Sequence, residues 1–368
     1  MVVSARITNF LAYSSLTVSR VSHLGNGSLR YQWLLCRNTS LLQLRSKIQT
    51  VVPSITSNVS VPKENIPTAD ALVRPDLEGL YEDIREGLTN TQPELRQIAQ
   101  YYFNGEGKAI RPVITMCMAR AINYHLDQNA PGVIQKQKKI AQIAEMIHTA
   151  SLVHDDVIDV ADSRRSRPSV NILWGQKKSI IAGDFILAMA SGMLARLQNQ
   201  QVIILLSQVK IIIIPARTLI SKSRTMIFLK VSVLSGADST LQSIAFQYGR
   251  QLGMAFQLVD DLLDFIATSA QVGKPVAADL RLGLATAPVL FAAQKFSELN
   301  PLIMRRFQEP GDAETAFRLV LRSDGLQRTK ELARQYCNDA VTQVAQLTPS
   351  PYQQALVTLA HQLLHRMK

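Results

Sequence analysis

Apolar residues recur at helical spacing through most of this chain of 368 residues, and the longest coherent run of them ends in a cluster of aspartates. From Lys136 to Asp159, the residues Ile140, Ile143, Ala144 and Ile147 fall on one stripe of a predicted helix. His148, Ser151 or Leu152, Asp155 and Asp159 fall on a second stripe, because seven residues return nearly to the same face at about 3.6 residues per turn. A second long helical pattern runs from Ser239 to Phe265, with Gly249, Gly253, Gln257, Asp260 and Asp264 on one side. Upstream, the residues from Asp76 to Arg85 open an acidic amphipathic helix. A glycine-bearing loop from Tyr102 leads to Pro112, which stands where a helix from about Val113 to Tyr124 begins. No alternation of period two is sustained and no tandem repeat is present, so the pattern predicts an all-α fold.

Two stretches depart from it. Residues 1–63 contain no Asp or Glu, while Arg6, Arg20, Arg30, Arg37, Arg45 and Lys47 recur among Ser and Thr. That is the composition of a mitochondrial transit peptide. Acidic residues begin at Glu64, and Pro62, Pro67 and Pro75 mark a linker, so the mature domain is expected over 64–368. The second departure lies between Phe185 and Ala237, which also lacks acidic residues. Its apolar runs, Val202 to Leu206 and Ile211 to Ile214, are interrupted by Lys210 and closed by Pro215, too short to span a bilayer. From Ala216 to Lys230 the chain is basic and poorly patterned, which makes 210–230 atypical of the rest.

With 47% hydrophobic and 18% charged residues the chain has the material for a large core. Its net charge of +12 is dispersed and accompanied by few aromatics, which argues against nucleic acid as a partner. Cys36, Cys117 and Cys337 form no CxxC pair, which argues against a disulfide framework or a zinc site.

The aspartates carry the chemistry. Asp155 and Asp159 are four apart, share a helix face and repel unless a cation lies between them. Asp260, Asp261 and Asp264 repeat the spacing of Asp155, Asp156 and Asp159 on a separate apolar helix. Carboxylates among Val, Ile, Leu and Phe are costly to desolvate alone, so a cation cluster shared between facing helices is expected. Oxygen-only ligands point to Mg²⁺, which completes its coordination from water and phosphate. Lys108 and Arg111 on the glycine-bearing loop, Arg164 and Arg165 after the first triplet, and Lys274 after the second supply the cations that a diphosphate attracts.

These residues resemble the trans-prenyl diphosphate synthases, the family that elongates isoprenoid chains head to tail. Lys108-Ala109-Ile110-Arg111-Pro112 looks like the end of the family's GGKxxRP motif. Asp155 to Asp159 with Arg164-Arg165 resembles its first aspartate-rich motif, and Gly253 to Asp264 its second. The resemblance implies an isoprenoid synthase-type helical bundle around a central cavity, and a long-chain polyprenyl diphosphate synthase subunit making the side chain of ubiquinone in the mitochondrial matrix. It implies that Asp155, Asp159 and Asp260 hold Mg²⁺ on the allylic diphosphate, with Asp156, Asp261 and Asp264 in support. Arg164 and Lys274 would grip that diphosphate; Lys108, Arg111, His148 and Arg165 would bind isopentenyl diphosphate, with Gln257 nearby. It further implies a homo- or hetero-oligomer with a related subunit and peripheral contact with the inner mitochondrial membrane. Ala150 and Ser151, one turn before Asp155, are small and leave the path of a growing chain open, so a long product is expected. Between the two motifs, the family's Gly-Glu-aliphatic-x-Gln element and its Lys-Thr pair have no counterpart, the family-like pattern stopping near Val209 and resuming at Val231. That gap admits a second reading, an impaired variant that occupies a subunit interface.

Overall fold

The computed structural model describes residues 67–89, 91–104, 109–164, 167–207, 227–228, 230–269 and 277–366. The expected targeting segment, most of 210–230, and Lys108, Arg165 and Lys274 lie outside the described residues.

The chain is helical, as expected. Three short helices, α1 (Ala69–Leu77), α2 (Leu80–Gly87) and α3 (Pro93–Gln100), precede α4 (Ile110–His125) and the long α5 (Pro131–Ile158). A ribbon of two short antiparallel strands, β1 (Ser163–Arg164) and β2 (Arg167–Pro168), then leads into α6 (Val170–Ala195) and α7 (Gln200–Ser207). Helical residues 230–234 precede α8 (Ser239–Ser269). The rest comprises α9 (Ala278–Arg281), α10 (Ala287–Ala292), α11 (Leu299–Met304), α12 (Asp312–Leu321), α13 (Gly325–Val344) and α14 (Pro351–His365).

The acidic helix expected over Asp76 to Arg85 is two helices. Gly79 adopts φ +70° between them, a left-handed conformation that costs glycine nothing, and its carbonyl starts α2 by accepting from Asp83 N at 2.9 Å. Asp76 therefore belongs to α1, where it pairs with Arg120 of α4. The helix carrying the first aspartates begins earlier than Lys136, with Pro131 in its first turn, where the missing N–H has no intrahelical partner to lose. Its 28 residues extend about 42 Å.

That helix is central. α5 packs along α6 on one side and α4 on the other, and α8 lies along α13; α14 closes the bundle against α4, α8 and α13. The approach of α6 to α5 is set by Gly183, where a Cβ would stand 2.2 Å from His154 Nε2. His154, read as structural, also meets Ile180 O at 3.3 Å. A buried amide cluster joins three segments: Asn123 Nδ2 donates to Gln137 Oε1 at 2.9 Å, and Gln137 Nε2 donates back to Asn123 Oδ1 at 3.0 Å. Gln137 Nε2 also reaches Ser235 Oγ at 2.8 Å, and that hydroxyl donates to Asn123 Oδ1 at 2.8 Å. The chain beyond the atypical stretch is thus pinned to α4 and α5 by satisfied polar groups.

Among the described residues, α6 alone is long and apolar enough to cross a bilayer, by length and composition, and 33% of its most apolar window is buried within the bundle. Ile172, Leu173, Ile180 and Ile181 lie exposed along it.

Candidate active site

The first aspartate triplet ends α5, and the helix sorts its members. Adjacent residues on a helix point about 100° apart, so Asp155 and Asp156 cannot share a direction. Asp155 is half-buried and Asp159, four residues on, is exposed at the C-cap, where its N–H donates to Asp155 O at 2.8 Å. Burial, and then the negative charge of Asp159, push the Asp155 carboxyl up to about 6, against the pull of Arg164.

Asp156 turns into the core and is fully buried. Its Oδ2 accepts from Tyr102 OH at 2.8 Å, and its Oδ1 accepts from Arg164 Nε at 2.6 Å. The same phenol oxygen accepts from Val170 N, the first residue of α6, at 3.2 Å. Burial first, then the hydrogen bond to Asp156, hold the Tyr102 phenol well above its ordinary value, so it remains the donor.

The second triplet, within α8, repeats this sorting. Asp261 is buried and accepts from Gln257 Nε2 at 2.8 Å and from Ala287 N at 3.3 Å. Asp264 accepts the backbone N–H groups of Ala278 and Asp279, each at 3.1 Å, which ties the chain after the second motif back to α8. Asp260 faces outward, with Arg366 Nη2 at 3.5 Å. The guanidinium of Arg366 also lies over the Phe256 ring, 5.2 Å from its centroid. A largely apolar cavity of about 500 Å³ opens here, lined by Arg111, Ile114, Phe228, Leu252, Phe256 and Arg366 among others.

The expected site residues therefore separate into groups. Asp155, Asp260 and Asp264 are half-buried, Asp159 is exposed, and Arg111 lines the cavity. Asp156, Asp261 and Asp264 are engaged by protein donors, and Gln257 gives its amide to Asp261. His148 is buried, with its carbonyl accepting from Ser151 Oγ at 2.7 Å. Ala150 is fully buried, whereas Ser151 is half-exposed and one turn from Asp155. Tyr102 and Arg366 went unread in the sequence: the first is one of three consecutive aromatics, and the second belongs to no spaced motif.

Among the described residues, no three His, Cys, Asp or Glu side chains form a group that could hold a metal ion. The cation expected between the facing helices draws its remaining ligands from water and phosphate, so a closed group of protein ligands is not required for it. Two acids four apart on one helix end, the inner one destabilised as an anion by burial and then by the outer, still fit Mg²⁺, which keeps several waters and accepts one or two carboxylates alongside phosphate oxygens.

The polyprenyl synthetase family model matches residues 92–215 and 221–320. The chain belongs to that family. The break in the match, residues 216–220, is narrower than the interval expected to lack the family pattern, since the match covers most of 210–230. The chain is 49% identical to All trans-polyprenyl-diphosphate synthase PDSS1 of Homo sapiens over 315 residues, covering 80% of this chain and 76% of that protein. It is 35% identical to Solanesyl-diphosphate synthase 1, mitochondrial, of Oryza sativa, over 81% of this chain and 78% of that one. Among solved structures, a polyprenyl synthase from Caulobacter crescentus complexed with calcium and isoprenyl diphosphate superposes with a TM-score of 0.68 at 26% identity, covering 83% of this chain and all of that one. The isoprenoid synthase-type bundle expected from the resemblance is thereby shown.

Proposed function

We propose that the chain is a mitochondrial, Mg²⁺-dependent long-chain trans-polyprenyl diphosphate synthase that joins isopentenyl diphosphate to allylic diphosphates, making the side chain of ubiquinone. The observation that carries this reading is the sorted pair of aspartate triplets. In each, the middle acid is consumed by the core, and the first is left toward solvent beside basic groups. The names of the human and rice relatives support the long chain, and the rice name supports the mitochondrion.

Asp155, Asp159 and Asp260 would hold the divalent cation, which when bound neutralises charge on the allylic diphosphate. Arg164, held by Asp156, would stabilise the charge that gathers on the diphosphate as the allylic C–O bond breaks. Lys108, Arg111, His148 and Arg165 would bind isopentenyl diphosphate, and Lys274 the allylic diphosphate. The isopentenyl double bond then attacks the allylic carbon, a new C–C bond forms, and a proton leaves to the released pyrophosphate. The apolar walls formed by Ile114, Leu252 and Phe256 keep water from the cation. Residues 1–63 act as the targeting segment and 64–368 as the synthase domain.

Isopentenyl incorporation with MgCl₂ and an allylic primer, measured with and without a related subunit, tests the reading. Long polyprenyl products that vanish with EDTA are expected; no incorporation under either condition refutes it and favours the interaction-subunit role.

A further inference from the structure

Tyr102 stands at the junction of three segments that the proposed diphosphate site requires. It lies six residues before Lys108 on the chain leading to Arg111. Its hydroxyl donates to Asp156 in α5 and accepts from the backbone at the start of α6. Through Asp156 it is one step from Arg164, which donates to the same carboxylate. Asp156 is fully buried, so each of its oxygens needs a donor, and Tyr102 and Arg164 divide them. If the Tyr102 donor is lost, the Arg164 fork has two oxygens to choose from and can slide between them. Bidentate pairing on a carboxylate is the geometry a guanidinium prefers, and it would draw Arg164 inward, away from solvent.

We propose that Tyr102 is a positioning residue of the diphosphate site: by occupying Asp156 Oδ2 it confines Arg164 to Oδ1 and holds the guanidinium at the height where it meets a diphosphate. The neighbouring Tyr101 gives an internal contrast. Its hydroxyl donates to Pro168 O at 3.0 Å and its ring packs on Trp174, with centroids 5.2 Å apart, outside the Asp156 network.

This inference rests on the proposed diphosphate chemistry, so the probe is binding of inorganic pyrophosphate in MgCl₂ by titration calorimetry, which requires no turnover. Tyr102→Phe keeps the ring and removes the hydroxyl; about tenfold weaker binding is expected, with Tyr101→Phe unchanged. Asp156→Asn should weaken binding as well, and the double variant Tyr102→Phe, Asp156→Asn should be no weaker than Asp156→Asn alone, since both act through one carboxylate. Tyr102→Phe within twofold of the parent, or additive losses in the double variant, overturn the positioning role. Tight pyrophosphate binding by a parent chain without isopentenyl incorporation would sink the synthase reading while leaving this inference standing. A parent that binds no pyrophosphate overturns both. If Tyr102→Phe does not fold, as judged by circular dichroism, the hydroxyl is structural and the inference fails.

Discussion

Lys230 is the least comfortable residue of the described core. It is 2% exposed, and burial pushes its amine down to about 7. Among the described residues no carboxylate forms an ion pair with it. In the unfolded chain a lysine titrates near 10.4, so between about 7 and 10 the unfolded state binds more protons and stability rises with pH. Lys230→Met should raise the thermal midpoint at pH 7 by several degrees, on the order of a few kcal/mol, and flatten its dependence on pH over that window. Asp155 works in the opposite sense. Its folded value, about 6, lies above the unfolded value of about 3.9, so the folded chain binds more protons and, without metal, loses stability as pH rises between the two. A bound divalent cation reverses that loss, and MgCl₂ should therefore raise the melting temperature clearly at pH 7.5 and little at pH 5. Asp155→Asn should abolish this difference. The motif itself was legible in the sequence, since two acids four apart on an apolar helix announce a cation. The division of labour within it was half legible. Helix geometry requires Asp155 and Asp156 to point apart, but the partner that decides which one turns inward, Tyr102, lies 54 residues earlier and is set by tertiary packing.

Among the elements, periodicity foretold α4, α5 and α8, because each buries a stripe long enough to show the helical repeat. It missed the break at Gly79, where an acidic amphipathic pattern continues across a residue with φ +70° and so hides two helices in one. It also missed the ribbon of Ser163–Arg164 and Arg167–Pro168, whose two-residue strands are too short to show any alternation. The proposed role of α5 in product length falls on one residue of the pair rather than both. Ala150 faces the packed core, and a larger side chain there strains the bundle; Ser151 is the half-exposed residue near Asp155. Ser151→Phe should shorten the products, read as a shift in the chromatographic ladder of prenyl alcohols, with little change in melting temperature. Products as long as those of the parent would remove Ser151 from the growing chain's path.

At the scale of the molecule, α6 carries several of the large apolar side chains left exposed among the described residues. Ile172, Leu173, Ile180 and Ile181 are exposed on a helix otherwise anchored to α5 through Gly183. Exposed apolar side chains on either side of the non-helical Gly175 call for another surface, and we propose a second or related subunit as the partner for it. Ile181→Glu should lower the sedimenting mass of the chain at micromolar concentration while leaving its helical spectrum unchanged. An unaltered mass would place the subunit contact elsewhere. The amide cluster, finally, bears on the order in which the chain is completed. Asn123 and Gln137 are 14 residues apart and bond to each other reciprocally, so the α4–α5 hairpin can satisfy these polar groups before later segments are synthesised. Ser235 arrives 98 residues after Gln137 and inserts its hydroxyl into a pair that is already formed. The early hairpin can therefore wait, without an unsatisfied buried amide, while the intervening chain is synthesised.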